Sequence, residues 1–405
     1  MGENERMRVL IVGGGVAGLE ALLALQQLAE DRVALTLAAP IPEFVYKPLA
    51  VEEPFSLEPA TRRALEPLVS EAGGSFVQQG VRRVDPVRHM AELDDGTELG
   101  FEVAIVCVGA KARAALSHAA TLRTSGEPID IDALIKQAAV HESKRMALVL
   151  PARGSWPLPV YELALMTDRR ARELGVKVQI SIITPEPAPL FVFGRVASDA
   201  VSSMLATRGI EARTGLRASE DESGAIMLEP GPERVEAGAV VALPELHGPR
   251  IEGLPSDSDG FIPIDEHARV YGVDDIYAAG DGTNFPIKHG GLGAEQADAA
   301  AEEVAARAGA AIEPAPFHPV IRGKLITGDE TLSLQADIAG GGGEGMSSLD
   351  YLWWPPQKIA GRYLSAKLAG RTPEALGPPP EHGIEVEFSL DRDWHREPMG
   401  LDPLG

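Results

Sequence analysis

From residue 8 to residue 12 the chain is apolar except at its first position and rich in β-branched side chains, the pattern of a strand buried in a parallel sheet. A glycine-rich turn follows, and then a helix-forming segment whose leucines (Leu19, Leu22, Leu23, Leu25, Leu28) fall on nearly every side. Such a helix is expected to lie buried between the sheet and a further layer. Residues 32–37 read as a second strand, which completes a βαβ unit. Short strand-like pieces joined by an Asp94-Asp95-Gly96 turn occupy 81–99, and an apolar strand is predicted from 101 to 108. A second βαβ-like pattern begins at 146–150, with a helix near 158–174 and a strand at 177–184. Strands are also predicted at 226–228, 239–243 and 276–279, and an alanine-rich helix at 292–307. A hairpin is expected over 324–338, turning at 327–330. The glycine-rich run Gly340–Gly343 with Gly345 reads as a flexible loop, and the proline- and acid-rich tail from Thr372 as surface wrapping.

The turn after the first strand carries chemistry. Gly13, Gly15 and Gly18 stand at the G-x-G-x-x-G spacing. The first glycine permits the tight turn, the second lets a pyrophosphate approach the backbone, and the third lets helix and strand pack closely. The amides of Val16 and Ala17 would open the helix, where free N–H groups and the helix dipole favour a phosphate. The acidic residue that commonly ends the second strand and binds a ribose hydroxyl is missing; Ala38 and Ala39 stand there.

Composition narrows the classes. The 405 residues suffice for two or three domains, and 44% hydrophobic with 24% charged residues is ordinary for a globular protein. With 37 basic against 60 acidic side chains the net charge is −23, which argues against nucleic-acid partners and against docking on anionic lipid. The opening MGENERMRV has no apolar signal region, and no apolar run is long enough to span a bilayer, so a cytoplasmic location without an integral membrane segment is expected. Cys107 is the only cysteine, which removes disulfides, redox-active cysteine pairs and cysteine metal clusters; no metal site is expected. Within AIVCVG it reads as a buried small hydrophobe.

The fingerprint at 13–18, the strand ending IVCVGA and the stretch IYAAGD together resemble the two-dinucleotide-binding-domain flavoproteins, the pyridine nucleotide-disulfide oxidoreductase superfamily. Within it, FVYKPLA (44–50), KHGGLGAEQA (288–297) and WWPPQKIAGRYL (353–364) are most similar to sulfide:quinone oxidoreductases and type II NADH dehydrogenases. The resemblance implies FAD as cofactor. It places Gly280 and Asp281 at the ribityl chain and pyrophosphate, Lys47 and Pro48 near the flavin, Val84 at the adenine, and Gly109 in a motif of which only that glycine is retained. Ala39 would end the strand beside the ribose. Reduced flavin carries negative charge at its pyrimidine end; Gly290 and Gly291, ahead of a helix starting near Leu292, would aim amides at it. Lys288 would add a full charge and is the candidate catalytic residue. His289 is a weaker candidate for moving protons, and Trp353, Trp354 and Pro355 either cover the flavin or are core aromatics.

Two departures limit what carries over. The chain has no cysteine pair for sulfide oxidation by a cysteine relay. After the strand at 146–150 it reads PARGSWPLPVYELAL, with Gly154 the only glycine and Pro151, Pro157, Pro159 and Trp156 where a pyrophosphate would have to approach. The expected fold is α/β, with two Rossmann-like three-layer domains and a small C-terminal region: an FAD domain in two parts (1–112 and 250–310), a second domain of NAD type (113–249), and 311–405 completing the flavin pocket. The expected function is that of a soluble FAD-dependent oxidoreductase passing electrons from an unidentified small-molecule donor to a quinone, another small acceptor or an electron-carrier protein, with a homodimer as the expected assembly. An NAD(P)H dehydrogenase with a modified nicotinamide site and a non-catalytic FAD-binding protein remain open alternatives.

Overall fold

The structure is a computed structural model and describes residues 6–55, 61–122, 128–151, 155–337, 345–350, 352–353, 356–371 and 373. Gly154, Trp354, Pro355, Gly340–Gly343 and the tail from Thr372 other than Pro373 lie outside the described residues.

The chain opens with β1 (Met7–Val12), α1 (Val16–Leu28), β2 (Val33–Ala38), β3 (Ser75–Val77) and β4 (Val103–Val106). Three short antiparallel strands, Val81–Asp85, Met90–Leu93 and Glu98–Gly100, precede β4. Then come β5 (Ala120–Thr121), α2 (Ile131–Val140), β6 (Arg145–Val149), α3 (Leu158–Glu173), β7 (Gln179–Ile183), α4 (Gly194–Thr207), β8 (Glu211–Arg213) and β9 (Ala239–Ala242). The chain returns with β10 (Ile276–Ala278) and α5 (Gly290–Arg307). Beyond them lie β11 (Val320–Ile326), β12 (Thr331–Asp337), β13 (Gly345–Ser348) and α6 (Leu364–Leu368).

Two five-stranded parallel sheets result. The first has the order β10-β4-β1-β2-β3, the second β5-β9-β6-β7-β8. In both, strand order reverses beside a central strand, β1 in one and β6 in the other. Open parallel sheets bind ligands at such a reversal, in the crevice outside the carboxyl ends of the strands. The all-apolar strands reflect burial on both faces: every residue of β4 and the last four of β1 are buried.

The expected burial of α1 is met. It packs on β1 and β2 and is covered by α5, whose alanines (Ala297, Ala300, Ala301) allow the two helices close contact. The expected hairpin is β11 and β12, paired from Val320↔Asp337 to Ile326↔Thr331. Alternate residues of β11 are buried, and Ile321 and Leu325 join the core of the second sheet. Gly345 opens β13 rather than a loop, because Phe193 packs so closely there that a Cβ would meet its carbonyl oxygen at 1.7 Å. The described end of the chain is pinned by two buried carboxylates. Glu20 of α1 accepts the amides of Tyr363 and Leu364 at 2.7 and 2.8 Å, and Glu162 of α3 takes the Lys358 ammonium at 2.7 and 2.9 Å.

Candidate cofactor site

At the first reversal, β1 ends in a turn that only glycine can make. Gly13 has φ +113°, and a Cβ there would lie 2.3 Å from the Cys107 carbonyl oxygen. Gly18 lets α1 settle on this turn, since a Cβ at 18 would come within 1.9 Å of the Gly13 carbonyl oxygen. Gly15 differs: nothing lies within 4 Å of its would-be Cβ, so it faces open space at the crevice. No side chain caps α1 and no acidic residue sits in its first turn. The Val16 and Ala17 amides are thus left for an anion.

Three further stretches meet this turn. Cys107 donates its amide to the Val12 carbonyl at 2.7 Å, placing the end of β4 beside Gly13. Its thiol is buried and pushed up to about 12 by desolvation, which makes it an inert small hydrophobe as expected. Gly109, also at positive φ, sits beyond it with its carbonyl oxygen against Gly282. Gly280 follows β10; a Cβ there would lie 3.2 Å from the Ala17 Cβ, and a Cβ on Gly293 of α5 would lie 2.9 Å from the Gly280 Cα. The Gly280 amide donates to Gln296 Oε1 at 2.8 Å. The sequence reading did not single out Gln296, although it lies within the quoted KHGGLGAEQA stretch.

Asp281 then reaches into the crevice. Burial raises its pKa, and Lys288 and Lys47 oppose that shift, which brings these three residues of distant sequence positions into one electrostatic neighbourhood. No hydrogen-bond donor among the described residues meets its carboxylate. Half-buried at the crevice, this carboxylate is an acceptor left for the hydroxyl or amide donors of a ligand. Orphan helix amides for a pyrophosphate and an unmet carboxylate for hydroxyls fit the two ends of one dinucleotide.

The start of α5 departs from the expectation. Gly290 and Gly291 form its first turn instead of preceding it, and His289 is the cap, its Nδ1 accepting the Leu292 amide at 3.4 Å. Leu292 therefore has no free amide to offer; those of Gly290 and Gly291 remain. Burial depresses His289 to about 4, so it is neutral at pH 7 and occupied as a cap, which does not suit it to moving protons there. Gly290 is small because Ile359 fills the space above it, 2.9 Å from a would-be Cβ. Ile359 is held in turn by the Tyr46 hydroxyl, which accepts its amide at 2.6 Å, a contact between segments far apart in sequence with no motif to announce it.

Lys288 is buried, not an exposed loop lysine. Its ammonium donates to the carbonyls of Thr283 and Phe285, the latter at 2.7 Å, and lies 3.8 Å above the Phe261 ring. Desolvation lowers its pKa to about 8, with Asp281 and Asp257 pulling the other way. Two of its three N–H donors thus tie down the loop after Asp281, and the charge stays beside Asp281. Lys47 is exposed at the head of the short turn Lys47–Leu49 with Pro48 half-buried, and Ala39 is buried with its amide on the Val77 carbonyl. Val84 is buried, and its amide donates to the Glu252 carbonyl at 2.9 Å. Trp353 is a core aromatic, packed with Leu352 and Ala360 and donating its indole N–H to the Gln357 carbonyl at 3.1 Å. Among the described residues, no group of histidine, cysteine or acidic side chains is arranged to hold a metal ion, and no helix is long and apolar enough to cross a membrane.

Residues 161–304 match the family model described as pyridine nucleotide-disulphide oxidoreductase. A type II NADH:quinone oxidoreductase of Staphylococcus saprophyticus is 22% identical over 307 residues, spanning 70% of this chain and 76% of that protein. Among solved structures, the sulfide:quinone oxidoreductase of Aquifex aeolicus superposes with a TM-score of 0.74 at 17% identity, covering 84% of this chain and 86% of its own. A ferredoxin reductase from Rhodopseudomonas palustris gives a TM-score of 0.61 at 17% identity over 84% and 88%. At these identities the structural likeness shows the fold.

Proposed function

We propose, from the premise that the chain belongs to the pyridine nucleotide-disulphide oxidoreductase superfamily and holds FAD, that it passes electrons from a donor to a quinone, another small acceptor or an electron-carrier protein. The observation that carries this reading is the half-buried Asp281 carboxylate without a donor, set against the uncapped start of α1. FAD supplies the electron chemistry when bound. The residues proposed to hold it are Gly13, Gly15, Val16, Ala17 and Gly18 at the pyrophosphate and Asp281 with Gly280 at the ribityl chain. Ala39, Lys47, Pro48 and Gly109 border the crevice, and the Gly290 and Gly291 amides face the pyrimidine end. Lys288, buried beside Asp281, contributes positive charge that favours a reduced, anionic flavin. The lone inert Cys107 supports electron transfer without a redox disulfide. The proposed division keeps 1–112 and 250–310 as the FAD domain, 113–249 as the second domain and 311–405 as the part that closes the crevice.

The test is direct. The purified protein should carry about one FAD per chain, released intact by heat or acid. Candidate donors added without oxygen should bleach the flavin absorbance, and a quinone or electron carrier should restore it. A protein that stays colourless with excess FAD would sink the reading.

A further inference from the structure

We propose that the second parallel sheet does not take a pyridine nucleotide, because its own residues occupy the crevice where one would lie. The inference rests on the proposed FAD function and goes beyond it, since it concerns the other sheet.

The two sheets share a topology, so the first serves as an internal standard for the second. In the second sheet the strand order reverses between β6 and β9, and the crevice lies beyond Val149 and Ala242. Three observations at that place oppose a nucleotide. The Ser155 hydroxyl, from the loop after β6, donates to the Pro244 carbonyl in the loop after β9, so the chain bridges the crevice mouth itself. The helix start is poor in donors. Pro157 caps α3, Pro159 occupies its second position, and the Val160 amide is turned onto the Pro157 carbonyl at 3.1 Å. In the first turns of the two helices, α1 leaves the Val16 and Ala17 amides for an anion, whereas α3, among the described residues, leaves that of Leu158.

The third observation concerns the ribose. An acidic residue beyond the second strand of such a unit accepts from ribose hydroxyls. Here that residue is Glu186, just past β7, and it faces inward. Its Oε2 accepts from the Tyr161 hydroxyl at 2.6 Å and from Thr184 Oγ1 at 2.9 Å, while Oε1 is buried without a partner among the described residues. Tyr161 belongs to the first turns of α3, so the helix that would greet a phosphate instead takes up one oxygen of the carboxylate that would hold a ribose. Trp156 packs its ring on His289 and Phe193, at centroid distances of 4.6 and 5.4 Å, and fixes the same loop against the start of α5. The next residue of the helix, Glu162, clamps Lys358 and the Ile326 amide. The element that opens a nucleotide site in the first sheet is used here as scaffold for the hairpin and the C-terminal segment.

The FAD-loaded protein is titrated with NADH, NADPH and NAD⁺ by calorimetry, and NADH and NADPH are mixed with it anaerobically while flavin absorbance is followed. No saturable heat is expected up to about millimolar nucleotide, and bleaching should be slow and linear in concentration, whereas dithionite bleaches the flavin completely. Saturable 1:1 binding or saturable bleaching at micromolar nucleotide would overturn the inference. A preparation that stays colourless with excess FAD refutes the proposed function and is recognised before any nucleotide is added, so the two failures are distinct.

Discussion

Asp281 and Lys288 sit side by side but hold different things. Replacing Asp281 by alanine removes the acceptor that a ribityl chain would use, a loss of ~1–3 kcal/mol, or roughly 5- to 150-fold in FAD affinity. Lys288→Ala should keep FAD better and lower the flavin reduction potential, because a nearby cation favours the reduced anion. Equilibrium dialysis of FAD and a dye-coupled redox titration separate the two; equal FAD loss with no change of potential in Lys288→Ala would refute the division. Glu20 gives a pH prediction. Burial lifts its carboxyl from 4.5 to about 7, ahead of the opposing hydrogen bonds from Tyr363 and Leu364. The folded state then holds the proton more tightly than the unfolded chain. Its contribution is fully present below about 4.5 and is lost as pH rises through about 7. Thermal melts should show the stability of the wild type relative to Glu20→Gln falling over that window, and a difference that grows with pH would contradict the assignment.

The turn from β1 to α1 was legible in the sequence because each glycine answers a local requirement. The structure nevertheless gives Gly15 and Gly18 different tasks. At Gly18 a Cβ would collide with the Gly13 carbonyl oxygen, so Gly18→Ala should destabilise the protein by roughly 2–4 kcal/mol, read as a lower melting temperature with or without FAD. At Gly15 the space is open, so Gly15→Ala should leave the stability of the FAD-free protein within about 1 kcal/mol of unchanged while FAD affinity falls at least about tenfold. The start of α5 was less legible. Two glycines are weak helix formers, and the sequence reading put them ahead of the helix. What draws them in is the His289 cap and the Ile359 side chain filling the space a Cβ would take, and the second of these is a tertiary contact.

Across the whole molecule, the buried pair Glu162–Lys358 joins a helix of the second sheet to the segment that also reaches Gly290 through Ile359. Lys358→Met would strand an unpaired buried carboxylate and should cost about 3–5 kcal/mol, whereas the double variant with Glu162→Leu should recover much of that loss. Urea unfolding of the two variants checks it, and an equally unstable double variant would argue against charge burial as the cause. The sequence left α2, α4, β3, β5 and β8 unread. By itself it determined the α/β class, the elements β1, α1, β2, β4, β6, α3, β7, β9, β10 and α5 with the β11–β12 hairpin, the dinucleotide turn, the inert cysteine and the missing second fingerprint. Each of these is written in local periodicity, in glycine spacing or in residue counts. Only the tertiary structure decided that Asp281 is left without a donor, that Lys288 is tied to loop carbonyls, that the Val84 amide is spent on Glu252, and that Tyr161 meets Glu186 and Ser155 meets Pro244 beside the second sheet. These depend on which distant atoms meet and on how much water is shut out around them, and neither quantity is a property of a short stretch of chain.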